Sequence, residues 1–140
     1  MADNDGFMAH WGKSDWKKSI DFLGAVQLGK SAKFLRNYPW WEITPAFKII
    51  NPSWSSSNAF GPVAATVGKE RIFVYFPDIG LKAYYSITLP NGREVYDILW
   101  IDPRTLTTIK TEKTKSKELR VKFPKDARTK DILCVLSIGK

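Results

Sequence analysis

The sequence predicts a mainly β protein, an antiparallel β-sandwich of about seven strands preceded by one or two α-helices. From about residue 63 onward, apolar side chains recur with a period of two, which is the repeat of a half-buried strand. Turn-forming residues separate these runs at intervals of about 8–12 residues, the spacing of sandwich strands. Before residue 46 the apolar repeat is instead helical. We therefore expect a short helical part, residues 1–45, and a β domain, residues 46–140.

The N-terminal part predicts two short helices. Ser14 is a suitable N-cap residue for the first of them. One face of that helix carries large apolar side chains: Trp16, Ile20 and Leu23. Gly24 interrupts the pattern, and a second helical run covers residues 25–37. Two helices of this length do not bury a core alone, so we expect their apolar faces to pack on a partner.

Seven runs after residue 62 have the pattern of strands. They cover residues 63–67, 71–76, 83–89, 94–101, 107–111, 118–123 and 132–138. The pair Asn91-Gly92, between the third and fourth runs, is a strong hairpin signal. The last run contains the single cysteine, Cys134, which we interpret as a small buried hydrophobe and not as a reactive thiol.

The charge distribution allows two interpretations. The net charge is +8, and residues 110–130 contain nine basic and three acidic side chains. Such a segment fits a surface for a polyanion. It also fits the solvated outer faces of strands, because basic and apolar residues alternate within residues 119–123. We favour the second interpretation and do not expect a nucleic-acid partner. No apolar stretch approaches the roughly 20 residues that a membrane span requires.

No motif for a metal, a nucleotide or a catalytic nucleophile is found, so we expect no cofactor. One histidine and one cysteine do not build a Cys/His zinc site. Four tryptophans crowd the first part of the chain: Trp11, Trp40, Trp41 and Trp54. They fit either stacking platforms for sugar rings or the filling of a joint between helices and sandwich. For Trp40 and Trp41 we favour the joint.

Residues 99–105 predict a structural corner between two strands. Asp102 is able to bond its own backbone two residues on, and Pro103 presets φ for the turn. Trp100 brings a large apolar surface to the core. Arg104 carries a fork of donors that suits carboxylates or carbonyl groups. We interpret this corner as architecture and not as a reaction centre.

Taken in order, several segments resemble the C-terminal part of an apiosidase-like (β/α)8 glycoside hydrolase. Two of them are similar to the last barrel strand and the linker after it: Gly6-Phe7-Met8-Ala9-His10-Trp11-Gly12 and Pro39-Trp40-Trp41-Glu42-Ile43-Thr44-Pro45. Four more are similar to the β-sandwich that follows, which is known as the collagen-binding domain of a collagenase: Val74-Tyr75-Phe76-Pro77, Trp100-Ile101-Asp102-Pro103-Arg104-Thr105, Phe123-Pro124 and Asp131-Ile132-Leu133. The chain departs from the family at Leu106, where glycine is usual.

The resemblance implies an accessory role. The catalytic carboxylates of such barrels lie on earlier strands, which places them upstream of Met1, so we expect no hydrolysis by this chain alone. His10, Trp11, Trp40, Trp41 and Trp54 are then candidates for substrate binding. The implied partner is the catalytic barrel of the parent protein, with a polysaccharide or collagen as further partners. The family suggests a secreted or periplasmic protein, although the chain has no signal peptide.

Three functions are compatible with these observations. The first is an accessory β-sandwich that stabilises the barrel and contributes to carbohydrate binding. The second is a stand-alone binding module for carbohydrate or collagen. The third, which we favour least, is a basic module that binds a polyanion through residues 110–130.

Overall fold

The computed structural model describes residues 23–52, 61–68, 70–77, 84–125, 127 and 131–139. The chain divides into two compact units, Met1–Tyr38 and Pro39–Lys140. Within the described ranges there are one α-helix and nine strands, and the strands form two antiparallel sheets. The predicted fold class, a β-sandwich preceded by a helix, is confirmed.

The helix of the first unit, α1, covers Leu23–Leu35. Its last turn continues into a bond from the Tyr38 N–H to the Leu35 carbonyl. Gly24 lies within this helix, which covers most of the predicted second run, residues 25–37. A glycine inside a helix costs only about 1 kcal/mol relative to alanine, which neighbouring turns can offset. Most of the other predicted helix, including Ser14, lies outside the described residues.

The second unit contains the nine strands. Their bounds are β1 Ile43–Pro45, β2 Ile50–Asn51, β3 Val63–Val67, β4 Arg71–Phe76, β5 Ser86–Thr88, β6 Tyr96–Ile101, β7 Thr108–Thr114, β8 Glu118–Arg120 and β9 Ile132–Ile138. One sheet has the order β1-β3-β4-β9-β6-β7, and the other has the order β2-β5-β8. Each predicted strand overlaps an observed one. Strands β1 and β2 were not predicted, because three and two residues are too few to show a period.

Strand β1 joins the first residues of the β unit to the six-stranded sheet. Ile43 pairs with Val67 and Pro45 pairs with Ala65, so β1 is an edge strand beside β3. A short 3₁₀ turn lies on each side of it, Trp40–Glu42 before and Phe47–Ile49 after. Residues 39–45 therefore fold with the sandwich.

The main core lies between the two sheets. Alternate residues of β4, β6 and β9 point towards the smaller sheet: Ile72, Val74, Phe76, Tyr96, Ile98, Trp100, Ile132, Cys134 and Leu136. The smaller sheet contributes Ile50 and Ile87 to the same core. Burial, followed by the nearby charge of Glu112, raises the pKa of the Cys134 thiol far above its usual range. The thiol therefore stays protonated and packs as a small hydrophobe.

The Asn91-Gly92 segment does not make the β-hairpin that its sequence predicts. Strands β5 and β6, on either side of it, belong to different sheets and do not pair. The Glu94 N–H donates to the Asn91 carbonyl, and this turn carries the chain from one sheet to the other. A Cβ on Gly92 would lie 2.8 Å from the Cα of Lys117. Glycine is needed at position 92 because the backbone at Lys117 passes close by. The burial of β5 and β6 in the core outweighs the local preference of Asn91-Gly92 for a hairpin.

The six-stranded sheet is apolar on both faces. The register places four buried residues on the face turned away from β2-β5-β8: Val67, Phe73, Ile101 and Val135. None of them belongs to the core between the sheets. A sheet that buries apolar side chains on both faces requires a covering layer on each of them.

Candidate functional site

Between β6 and β7, Asp102 and Thr107 are joined by a backbone hydrogen bond and enclose a four-residue turn, residues 103–106. Asp102 Oδ1 accepts hydrogen bonds from the N–H groups of Arg104, at 2.8 Å, and Thr105, at 3.4 Å. The Asp102 N–H donates to the Thr107 carbonyl at 3.0 Å. The Leu106 N–H donates to the Asp102 carbonyl at 2.7 Å. A single aspartate thus organises the backbone of the whole corner, with Pro103 as the first residue of the turn.

Leu106 closes this turn with a φ of +60°. This left-handed conformation costs a non-glycine residue about 1–2 kcal/mol, because Cβ approaches the next carbonyl oxygen. The backbone strain of this turn is therefore located at Leu106.

A three-residue cluster fixes the corner to the rest of the sheet. Arg104 Nη2 lies 3.4 Å from Asp131 Oδ1, and the Tyr75 hydroxyl donates to Asp131 Oδ2 at 3.0 Å. Burial, together with the charge of Asp131 and this hydrogen bond, raises the pKa of Tyr75 to about 12, although the charge of Arg104 opposes the shift. Tyr75 therefore remains a protonated donor at neutral pH. The cluster joins β4, the start of β9 and the β6–β7 loop, which is a structural task.

Trp100 is held by packing and by one hydrogen bond. Its side chain is 2% exposed, and its ring lies 6.5 Å from Phe76 and 6.1 Å from Phe123. Trp100 Nε1 donates to Glu112 Oε1 at 2.7 Å, and Lys110 Nζ lies 3.0 Å from Glu112 Oε2. With its ring covered on both sides, Trp100 stabilises the sandwich and offers no face to a ligand.

Partial burial raises the pKa of Glu112, but the opposing effects are larger in sum. Hydrogen bonds from Lys110 and Trp100, and the charges of Lys110 and Lys122, bring the pKa below its ordinary value. Glu112 is therefore an ionised acceptor at neutral pH. This arrangement satisfies the indole N–H at the open side of the core.

Trp40 and Trp41 lie together on the surface. They are 54% and 70% exposed, and their rings meet edge to face with centroids 6.0 Å apart. Further exposed apolar side chains belong to β1, to the 3₁₀ turn after it and to the start of β3: Ile43, Phe47 and Val63. We refer to these five residues as the β1 edge patch. It has the composition of an interaction surface, since exposed apolar groups of this size rarely cluster without a partner.

A concave feature lies at the edge of the six-stranded sheet that is opposite to β1. A cleft of about 430 Å³ opens between β7 and β8, the adjacent edge strands of the two sheets. Ile98 and Leu119 form part of its apolar floor, and Glu118, Arg120 and Lys122 line its walls. This cleft was not predicted, because strand pattern alone does not tell which edges of two sheets lie side by side.

The predicted site residues separate into three groups. Trp100, Asp102, Pro103 and Arg104 lie at the corner, and Trp40 and Trp41 lie in the β1 edge patch. His10, Trp11 and Trp54 lie outside the described residues. Over the described ranges, no three His, Cys, Asp or Glu side chains are grouped to hold a metal ion. In the same ranges, none of the helical structure has the length and apolar character to cross a membrane.

Sequence reasoning missed the partners of these residues. Tyr75 and Asp131 were noted only as parts of separate motifs, and 56 positions separate them. Glu112 sits among lysines and threonines in β7. The strand register explains the contact: Glu112 lies opposite Ile98, two residues from the Lys110 that lies opposite Trp100, so its carboxylate is within reach of the indole.

No family model matches this chain, and no curated protein matches it by sequence. Solved structures do match it. One described as a glycoside hydrolase has a TM-score of 0.67 and 14% identity, and the match covers 94% of this chain and 29% of that one. A family 5 glycoside hydrolase from Bacteroides vulgatus ATCC 8482 has a TM-score of 0.58 and 12% identity, covering 89% of this chain and 26% of that one.

These likenesses define the class of fold. The chain has a glycoside-hydrolase-related fold, and it spans less than a third of each of the two solved structures. It is therefore similar to a part of each of those proteins. The identity is low enough that the similarity carries the fold and no more.

Proposed function

We propose that the β unit, Pro39–Lys140, is the C-terminal accessory domain of a glycoside-hydrolase-like protein. It packs against the catalytic barrel of that protein and stabilises it. In this proposal residues 1–38 supply the terminal strand and helix of the barrel, and residues 39–45 are the linker, which folds with the sandwich. The chain alone hydrolyses no glycoside, because the catalytic carboxylates belong to other strands of the barrel.

The β1 edge patch carries this proposal. It lies where the polypeptide enters the β unit, so a domain that precedes it in the chain is held close to Trp40 and Trp41. Covalent linkage makes such docking intramolecular, and a modest apolar surface then suffices. Each tryptophan can bury about 150–250 Å².

The test uses the protein in which this chain is joined to its catalytic domain. Removal of Pro39–Lys140 should lower the melting temperature of the catalytic domain by several degrees, since a docked partner stabilises the folded state. Trp41→Ala in the longer protein should reproduce part of that loss. Tyr84→Ala is the matched control, because Tyr84 is 97% exposed and lies outside the patch. Equal melting with and without the β unit would refute the proposal.

A second candidate is carbohydrate binding through the same tryptophans. Two adjacent exposed indole rings offer apolar faces of the kind that stack on sugars. The free chain should then be retarded in native gels that contain a polysaccharide, and Trp40→Ala or Trp41→Ala should remove the retardation while Tyr84→Ala keeps it. A parallel pull-down with triple-helical collagen tests the remaining module function. Normal migration in every gel would leave docking as the role of the patch.

A further inference from the structure

We propose that the cleft between β7 and β8 binds an acidic polysaccharide, with Arg120 and Lys122 contacting its carboxylates. Strand β7 is one edge of the six-stranded sheet, and β1, which carries the docking patch, is the other. The cleft therefore stays open when the patch is covered. This inference does not depend on the accessory role, because the two surfaces lie on opposite edges.

Two cations at the cleft are available to a ligand. Arg120 and Lys122 are exposed, and neither forms an ion pair with another described residue. By contrast, Lys110 lies 3.0 Å from Glu112 Oε2, and Lys113 Nζ lies 3.2 Å from Asp97 Oδ1. Of the cations that line the cleft, Arg120 and Lys122 are therefore the two without an ion pair among the described residues. An arginine fork and a lysine two residues on suit anionic oxygens spaced along a strand.

The acidic residues of the cleft select the kind of anion. Glu118 lines the same wall as Arg120, and carboxylates accept hydrogen bonds from hydroxyl groups. A sugar acid presents both carboxylates and hydroxyl donors, so it satisfies both signs of charge. A DNA backbone presents phosphates but no hydroxyl donor for Glu118. Trp100, the aromatic residue of the cleft, is buried and gives nucleobases no stacking surface.

The dimensions of the cleft fit this assignment. Its volume of about 430 Å³ lies within the roughly 300–1,000 Å³ of typical ligand sites. The cleft runs between two strand edges and is open to solvent, as a site for an extended chain needs to be. Leu119, which is half-buried in the cleft lining, offers an apolar contact to the C–H face of a sugar ring.

The experiment measures binding of sodium polygalacturonate to the intact chain by titration calorimetry at about 0.1 M salt. Arg120→Gln combined with Lys122→Gln should weaken binding about tenfold, from the loss of two exposed charge contacts. The matched control, Lys48→Gln combined with Arg93→Gln, removes the same charge outside the cleft and should change the affinity less than twofold. Exchange of the two cations, Arg120→Lys with Lys122→Arg, should retain most of the binding. Neutral galactan should bind weakly or not at all.

Three results would overturn the inference. Equal losses of affinity in the two glutamine double variants would show that binding depends on net charge and not on the cleft. Absence of polygalacturonate binding would remove the site. Tighter binding of duplex DNA at the same salt would assign the basic surface to nucleic acid. Melting curves of every variant establish that it is folded, and the cation exchange keeps the test informative should the glutamine pair lower stability. The docking test rests on Trp41 and is unaffected by any of these outcomes.

Discussion

The Tyr75 hydroxyl donates a hydrogen bond to Asp131 Oδ2 across 3.0 Å, joining β4 to the residue that precedes β9. Arg104 approaches the other carboxylate oxygen from the β6–β7 loop. Three segments that are distant in sequence thus meet at one point, and their shared task is to hold one end of the six-stranded sheet together.

The Tyr75 contact predicts a specific loss of stability at high pH. The folded-state pKa, about 12, lies above the ordinary value of 10.0, so the folded protein keeps a proton that the unfolded chain releases. The stabilisation is complete below pH 10 and is lost as the pH rises towards 12. Tyr75→Phe should flatten this decline in urea unfolding measured from pH 9 to 12. Tyr84→Phe, a change at a fully exposed tyrosine, should leave the decline intact.

The φ of Leu106 predicts an unusual order of stabilities. Leu106→Asn and Leu106→Gly should each match or exceed the parent protein, by up to about 1 kcal/mol, because both residues adopt the left-handed conformation readily. Leu106→Val should destabilise, since β-branching makes that conformation worse. Chemical denaturation of the three variants checks the order. If Leu106→Gly lost more than about 1 kcal/mol, packing of the half-buried leucine would outweigh the strain.

Gly92 predicts a steric cost. In Gly92→Ala the new methyl group would lie 2.8 Å from the Cα of Lys117, so the backbone has to move, at about 1–3 kcal/mol. Gly29→Ala on α1 is the contrasting variant. No atom lies within 4 Å of its added Cβ, and alanine should strengthen the helix by about 1 kcal/mol. Far-UV circular dichroism during urea unfolding distinguishes the two, and a stable Gly92→Ala variant would refute the close approach.

The Glu112 carboxylate predicts a loss of stability in acid. Its folded-state pKa lies below the ordinary value of 4.5, so it stabilises the protein above that pH and loses this effect as the pH falls through the folded-state pKa. Glu112→Gln should be less stable than the parent protein at pH 7 and should lose less on acidification. Glu118→Gln, a change at the other glutamate of the cleft, serves as the control. Unfolding at pH 7 and pH 3 checks both, and parallel profiles for the parent and Glu112→Gln would contradict the account.

The sandwich could be predicted from sequence because short apolar runs recur between turn-forming residues. Residues 132–138 and 96–101 are the clearest runs, and their inward positions form the core. The local bonds of Asp102 also follow from sequence, because an aspartate before proline acts on its own turn. Contacts between distant segments do not follow. The pairing of Tyr75 with Asp131 and the sheet change at Asn91 depend on which strands become neighbours, and no local pattern contains that information.

The central claim is that Pro39–Lys140 is an accessory domain held against a catalytic barrel at the β1 edge patch. The most direct measurement is the thermal unfolding of the catalytic domain with and without this unit in the protein that joins them. The account predicts a melting temperature several degrees lower when the unit is removed, and part of that decrease with Trp41→Ala but none with Tyr84→Ala. A catalytic domain that melts at the same temperature in all four proteins would contradict it.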